Sequence, residues 1–146
     1  MLVRLLYASR SVDPIDRKLV DAILKRAHSY NPEHGITGIL CAYENDNVFL
    51  QALEGGRDEV NQLYNSLVED SRHTDVTLLA YNEIDERRFA SWRMGRVDMS
   101  RINIATVLRY SSQPRLNPFE LSGKTAMALL EDLSNTAAVI SRTESS

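Results

Sequence analysis

The stretch that most constrains the fold is residues 48–55, VFLQALEG, in which one amide interrupts an apolar run. In a β-strand successive side chains point to opposite faces, so Phe49, Gln51 and Leu53 would share one face. The residues between them are also apolar, so both faces of this strand need to be covered by other elements. A buried amide without partners costs about 1–3 kcal/mol. Gln51 therefore requires a polar partner, which is either another side chain or a ligand.

Other stretches have the periodicity of helices and strands and predict an α+β fold. Apolar stripes at helical spacing follow Pro14 and Gly56, and strand-like runs lie before, between and after them. The predicted strands cover residues 2–7, 35–43, 48–54, 76–81 and about 91–97. The order strand-helix-strand-strand-helix-strand is that of the ferredoxin-like split β-α-β arrangement, here with an appended fifth strand. We therefore expect a five-stranded mixed sheet with both helices on one face.

The boundaries of the first helix are predicted from its terminal residues. Asp13 is placed to cap the helix, and Pro14 suits its first position. The helix is expected to end near Asn31, because Pro32 disfavours a helical conformation for the residue before it. The amide of Asn31 would then face a cleft at the end of the helix.

The last third of the chain predicts two further helices. A short helix is expected around residues 102–108, and a longer one carries the apolar stripe Ala126, Leu129, Leu130, Leu133, Ala137 and Ile140. The apolar sides of these two helices could cover the second apolar face of the sheet, which would otherwise be exposed to water. We expect these helices to cover that face or to form a contact in a homo-oligomer.

Composition and charge argue against several classes of protein. The single cysteine, Cys41, excludes an internal disulfide, and its apolar neighbours favour a buried, inert thiol. A net charge of −3 without a basic run argues against binding to nucleic acid or to a membrane surface. No apolar run approaches the roughly 20 residues of a membrane span, and the first residues lack the layout of a signal peptide. The protein is therefore expected in the cytoplasm.

No ordinary catalytic motif is present. The three histidines, His28, His34 and His73, lack the spacing of metal ligands, and there is no nucleophile elbow, phosphate loop or dinucleotide fingerprint. Instead, neutral hydrogen-bonding groups lie on apolar elements. Tyr7 and Gln51 lie mid-strand on the two strands that are central neighbours in the split β-α-β fold. Such a set suits a flat polar heterocycle held between the two helices.

Seven short stretches together resemble the BLUF family of blue-light sensors, which use flavin adenine dinucleotide. They read LYAS at 6–9, NP at 31–32 with GITG at 35–38, FLQALEG at 49–55, DSRH at 70–73, RF at 88–89 and WRM at 92–94. Each is weak alone, but together and in this order they are highly specific. The resemblance implies a flavin-binding domain over residues 1–98 and a C-terminal helical extension over residues 99–146, as in short stand-alone members.

The resemblance also implies a role for each matching position. Tyr7 would donate an electron and a proton to the excited flavin, and Gln51 would relay the proton and then rearrange its hydrogen bonds. Trp92 and Met94, on one face of strand five, would pass the signal out of the pocket. The cofactor would be FAD, with FMN or riboflavin as alternatives, held by Tyr7, Ile23, Tyr30, Asn31, Gln51, Leu67, Asp70, Arg72 and His73.

The resemblance further implies a photoreceptor that is not an enzyme. It would form a homo-oligomer and signal through a protein such as a response regulator or a cyclic-di-GMP phosphodiesterase. Two positions depart from the family: Arg93 replaces a serine common in relatives, and Ser66 replaces a residue that is basic in some, which weakens the support for phosphate binding. Two alternatives stay open, namely a flavin-dependent oxidoreductase on a similar fold and a ferredoxin-like interaction module without a cofactor.

Overall fold

The computed structural model describes residues 1–135 and 139–140. The first part of the chain has the predicted order of elements: β1 (Leu2–Ser11), α1 (Arg17–His34), β2 (Thr37–Tyr43), β3 (Val48–Gly56), α2 (Arg57–Glu69) and β4 (His73–Ile84). The second part comprises β5 (Gly95–Val97), α3 (Ile104–Tyr110), α4 (Gly123–Ser134) and β6 (Val139–Ile140). Within these described residues, no helix is long and apolar enough to cross a membrane.

The strands form one mixed sheet in the order β4-β1-β3-β2-β5-β6. β1 and β3 are antiparallel neighbours at its centre, with Tyr7 directly opposite Gln51. β5 runs parallel to β2, and β6 is antiparallel to β5. The predicted ferredoxin-like mixed sheet is confirmed, and β6 adds a two-residue sixth strand that no sequence pattern indicated.

Helices cover both faces of the sheet, as the apolar pattern of β3 predicted. On one face, α1 and α2 pack over Phe49 and Leu53; we call this the α1/α2 face. On the other, Leu50 and Ala52 pack beneath the C-terminal helices; we call this the α4 face. The buried residues of α4 are Ala126, Leu129, Leu130 and Leu133. Val68, near the end of α2, is 48% exposed although it is apolar.

The predicted start of α1 is wrong by three residues. Asp16, rather than Asp13, is the N-cap, and its Oδ1 accepts a 2.8 Å hydrogen bond from the Leu19 N–H. Pro14 therefore precedes the helix and does not occupy its first position. Nearby, the Ile15 N–H donates to the side chain of Asn47 at 3.0 Å, so a contact with the β2–β3 turn holds this segment outside the helix.

The predicted end of α1 is also wrong, because the helix continues through Pro32. It ends at His34 and is capped by Gly35, whose φ of 66° lies in the left-handed region that glycine adopts at low cost. Proline removes one N–H donor, but the last turn remains bonded through the Asn31 carbonyl, which accepts from Gly35 and from Ile36. Asn31 consequently lies within the helix and is buried.

The C-terminal helices are shorter than predicted. α4 ends at Ser134, and Ile140, expected on its apolar stripe, belongs to β6. Ala137, the other expected stripe residue, lies outside the described residues. In α3 only Val107 is buried, whereas Leu108 is 49% exposed.

The fifth strand covers only Gly95–Val97, much less than predicted. The residues just before it lie outside the strand: the Asn31 Nδ2 donates to the Arg93 carbonyl at 2.6 Å, and a single backbone bond from the Gly38 N–H reaches the Trp92 carbonyl at 3.2 Å. The prediction that Trp92 and Met94 share one face is therefore wrong. Met94 is buried on the α1/α2 face, whereas Trp92 packs against the cluster on the α4 face.

Cys41 lies buried on β2, and its thiol is 3.1 Å from the Met99 Sδ. Burial raises the pKa of this thiol to about 12, whereas an unperturbed cysteine has a pKa of about 8.5. Because the thiolate is the reactive form, we expect iodoacetamide at about pH 8 to leave Cys41 unmodified in the folded protein. Mass spectrometry measures the modification, with urea-unfolded protein as the reactive control. Equal rates in the two samples would contradict this expectation.

Candidate functional site

A cleft opens between α1, α2 and the face of the sheet that they cover. It encloses about 810 Å³, part of which is open to solvent. Strands β1, β2 and β3 form its floor, and the two helices form its walls. Its deep end carries neutral polar groups among apolar side chains, and its open end carries charged ones. This gradient suits a ligand with a flat, weakly polar head.

Three side chains form a hydrogen-bonded chain across the floor of the cleft. The strand register places Tyr7 beside Gln51, and the Tyr7 hydroxyl donates to the Gln51 Oε1. The Gln51 Nε2 donates in turn to the Met94 Sδ at 3.3 Å. A thioether is a weak acceptor, so this amide retains donor capacity for a stronger acceptor such as a ligand carbonyl. The polar partner that the sequence required for Gln51 is therefore supplied in part by Tyr7.

The Tyr7 hydroxyl is held in its neutral form. Burial raises the pKa of Tyr7 above its usual range, and the neighbouring Tyr64 and Asp70 act in the same direction. The ring of Tyr64 lies 5.7 Å from that of Tyr7, and the His73 ring lies 6.4 Å away in an edge-on orientation. Tyr7 is thus a rigid phenol that keeps its proton at neutral pH and directs it at one amide oxygen.

Two side chains of α1 hold the segment that leads into β5. Asn31, only 1% exposed, donates to the Arg93 carbonyl, and one turn earlier the His28 Nε2 lies 3.3 Å from the Met94 carbonyl. The Oδ1 of Asn31 accepts no hydrogen bond from the described residues, although Asn31 lines the cleft. A buried amide oxygen at this position can accept from a ring N–H of a planar ligand.

Charged groups after α2 form the open end of the cleft. Arg72 binds both carboxylate oxygens of Asp70, with distances of 2.6 and 3.1 Å to Oδ2. The side-chain hydrogen bond from Arg72 is the main reason why the pKa of Asp70 falls to about 2. The ring of His73 lies 3.0 Å from the Ser9 hydroxyl and also contacts the Leu67 carbonyl. Both ring nitrogens of His73 are therefore engaged by the protein itself.

All nine residues predicted to hold a cofactor line this cleft. Ile23 and Leu67 contribute apolar surface from opposite helices. Tyr30 lies on the same wall as Ile23, and its ring stacks on His34 with 3.9 Å between centroids. Of the two residues predicted to relay a signal, Met94 lines the cleft and Trp92 lies on the other side of the sheet.

Sequence reasoning missed eight further residues of the lining. Helical spacing could have identified some of them, because Arg26 and Ala27 lie three and four residues after Ile23. Strand alternation could have identified others, because Phe49 and Leu53 share the face of Gln51. The missed set is Leu19, Arg26, Ala27, Leu40, Phe49, Leu53, Leu63 and Ser66.

The groups present in the cleft fit the isoalloxazine ring of a flavin. Apolar side chains from two helices offer surfaces for the faces of a flat ring. The underused donor of Gln51 matches a ring carbonyl, and the Oδ1 of Asn31 matches a ring N–H. Both amides are at least 95% buried, so each gains from a ligand partner that replaces water.

Comparison with known proteins agrees with this geometry. Residues 2–95 match the model of the BLUF family, described as sensors of blue-light using FAD. Photoactivated adenylate cyclase subunit beta of Euglena gracilis is 37% identical over 90 residues, which are 62% of this chain and 10% of the cyclase subunit. The chain thus spans about a tenth of that curated relative.

Solved structures extend the similarity beyond the family match. The photo-activated state of BlsA is 32% identical with a TM-score of 0.82, covering 94% of this chain and 98% of the BlsA chain. The dark-state structure of the BLUF protein BlrB is 30% identical with a TM-score of 0.72, covering 91% of this chain and 94% of that one. The chain described here belongs to the BLUF family of blue-light sensors.

Proposed function

We propose that this chain is a blue-light photoreceptor that holds an oxidised flavin non-covalently in the cleft on the α1/α2 face. The observation that carries the proposal is the chain from Tyr7 through Gln51 to Met94 at the deep end of that cleft. Residues 1–98 would form the flavin-binding unit, and residues 99–146 would form the helical extension that packs on the α4 face. The flavin would be FAD or another flavin with the same ring.

Side chains from both walls of the cleft would contact the flavin ring. Ile23 and Leu67 would contact its two faces, with Tyr30 beside them. Asn31 would bind the pyrimidine edge through its amide. Toward the open end of the cleft, the polar groups that follow α2 would lie near the ring and the ribityl chain; they are Asp70, Arg72 and His73.

A bound flavin supplies the chromophore that absorbs blue light and accepts an electron. Tyr7 is the donor that the geometry favours, because a neutral phenol can release an electron and a proton together. The proton leaving Tyr7 has the Gln51 Oε1 as its first acceptor. Gln51 can then exchange donor and acceptor roles without any change in net charge, by rotation or by tautomerisation of its amide.

The rearrangement of Gln51 would reach the rest of the protein through Met94. Any change in the contact between Gln51 and Met94 acts on the segment that α1 holds through Asn31. Trp92, two residues earlier, packs on the α4 face, so a shift of this segment is transmitted to the opposite side of the sheet. We propose that this side contacts a second copy of the chain or a signalling partner, such as a response regulator or a cyclic-di-GMP phosphodiesterase.

The experiment that tests the proposal is an absorption spectrum of the purified chain before and after blue light. We expect a yellow protein whose flavin band shifts to longer wavelength and returns in the dark. A yellow protein without a shift but with steady NAD(P)H oxidation would instead indicate a flavin-dependent oxidoreductase. A protein that stays colourless after incubation with FAD would contradict flavin binding altogether and favour an interaction module.

A further inference from the structure

The segment between β4 and β5 is held at both ends by side chains of β3. At its start, the Glu54 carboxylate accepts the Arg88 N–H through Oε2 at 3.0 Å and the Phe89 N–H through Oε1 at 2.8 Å. At its end, the Gln51 Nε2 donates to the Met94 Sδ at 3.3 Å. We call the stretch from Arg88 to Met94 the bridging segment, because it joins two side chains that lie three positions apart on one strand.

The two side chains of β3 act on opposite faces of the sheet. Three positions along a strand reverse the direction of a side chain, so Gln51 lines the cleft whereas Glu54 points to the α4 face. Glu54 is fully buried there, and its carboxylate also accepts from the Arg4 Nε at 2.8 Å. A buried carboxylate with three N–H donors has a fixed position, because moving it would leave buried polar groups without partners. Glu54 therefore acts on the bridging segment from outside the cleft.

The start of the bridging segment is also fixed by packing. Phe89 is fully buried and belongs to the apolar cluster beneath the C-terminal helices. The side chain of Arg88 lies 3.5 Å from the Glu131 carboxylate on α4. This end of the segment is thus held by Glu54, by the apolar cluster and by α4 together.

The other end of the bridging segment is held by single hydrogen bonds. The carbonyl of Trp92 accepts from the Gly38 N–H at 3.2 Å, and that of Arg93 accepts from Asn31 at 2.6 Å. The contact between Met94 and Gln51 uses a thioether, which is a weak acceptor. A rearrangement of the Gln51 amide therefore displaces this end more easily than the start, so the segment would turn about its first two residues.

We infer that Glu54 is a positioning residue of the photocycle, which holds the hinge, Arg88 and Phe89, about which the bridging segment moves. The inference rests on the proposed blue-light function and gives a residue outside the cleft control over the lifetime of the red-shifted state. Passage between the dark and red-shifted arrangements strains the hydrogen bonds from the hinge to Glu54, so these bonds raise the barrier in both directions. Weaker bonds lower that barrier but leave both end states, and thus both absorption spectra, unchanged.

The test measures how fast the flavin band returns in the dark after blue light, using the full chain with its flavin bound. Glu54→Gln keeps the shape of the side chain but replaces one acceptor oxygen by an NH2 group, so a hinge N–H loses its acceptor. We expect recovery to be about tenfold faster, because charge-assisted hydrogen bonds are about twice as strong as neutral ones. The resting spectrum and the size of the red shift should not change.

Two control variants separate the hinge from general stability. Val60→Ala removes buried methyl groups from α2, outside the residues that line the cleft, so it destabilises the chain without altering the bridging segment. Glu131→Gln breaks the exposed ion pair with Arg88 and leaves the bonds to Glu54 intact. Each control should change the recovery rate by less than about twofold, because exposed ion pairs contribute little.

Hydrogen exchange of the wild-type chain gives a second readout that does not depend on the folding of a variant. The Phe89 N–H should exchange equally slowly in the dark and under continuous blue light, because Glu54 holds it in both arrangements. Loss of this protection under light would overturn the inference. Recovery in Glu54→Gln that is unchanged, slower, or accelerated only as much as in Val60→Ala would also overturn it, while a normal wild-type photocycle would spare the proposed function. A wild-type chain without any light-induced shift would refute both.

Discussion

Tyr7→Phe is expected to abolish the light-induced red shift while leaving most of the flavin affinity in place. Phenylalanine keeps the ring that packs near Tyr64 and His73 but removes the hydroxyl that donates to Gln51. Without that hydroxyl, the protein would lose the proposed donor of the electron and proton, together with the hydrogen bond to the Gln51 amide. The absorption difference between dark and illuminated samples measures the effect, and we expect it to vanish.

Tyr64→Phe is the matched control for this substitution. Tyr64 is the tyrosine next to Tyr7, with its ring 5.7 Å away, but its hydroxyl makes no hydrogen bond to Gln51. The shift should therefore survive in Tyr64→Phe. Because burial raises the pKa of Tyr7 above its usual value of about 10, the phenol of the wild type stays protonated at neutral and mildly alkaline pH. A full shift in Tyr7→Phe, together with loss of the shift in Tyr64→Phe, would contradict this prediction. It would show that the photochemistry depends on Tyr64 and not on Tyr7.

Glu54→Leu is expected to lower the free energy of unfolding by about 3–5 kcal/mol, because it breaks a charge pair whose carboxylate is fully buried and whose arginine is largely buried. The Glu54 carboxylate is 0% exposed and accepts from the Arg4 Nε at 2.8 Å. It also accepts from the backbone N–H groups of Arg88 and Phe89, at 3.0 and 2.8 Å. Leucine satisfies none of these donors, and it leaves a guanidinium that is almost completely buried without its partner.

Urea unfolding measures this loss, and Glu83→Gln is the control. Glu83 pairs with Arg57, but both side chains are substantially exposed, so this change should cost less than about 1 kcal/mol. Glu54→Gln should lie between the two, because it keeps hydrogen-bond acceptor capacity but removes the charge. An unfolding free energy for Glu54→Leu within about 1 kcal/mol of the wild type would show that Glu54 does not anchor the segment after β4.

The layered sheet and the deep end of the cleft could be predicted from local pattern alone. Alternation along residues 48–54 showed that β3 needs cover on both faces, and helical stripes supplied the covering elements. Once the order of elements indicated a split β-α-β sheet, Tyr7 and Gln51 were able to meet, because their strands pair at its centre; the register that places them directly opposite each other came from the structure. The predicted cofactor residues line one cleft because strand and helix periodicity decide which way each side chain points.

Contacts between distant parts of the chain determined the ends of α1 and the course of the segment before β5. A turn residue, Asn47, binds the segment before α1, and the left-handed glycine at position 35 allows the helix to continue through Pro32. Long-range hydrogen bonds that Glu54 accepts from Phe89 and that Asn31 donates to Arg93 hold the segment before β5, in which Trp92 and Met94 lie on opposite sides of the sheet. These hydrogen bonds join residues 32–62 positions apart in sequence, so no local periodicity records them.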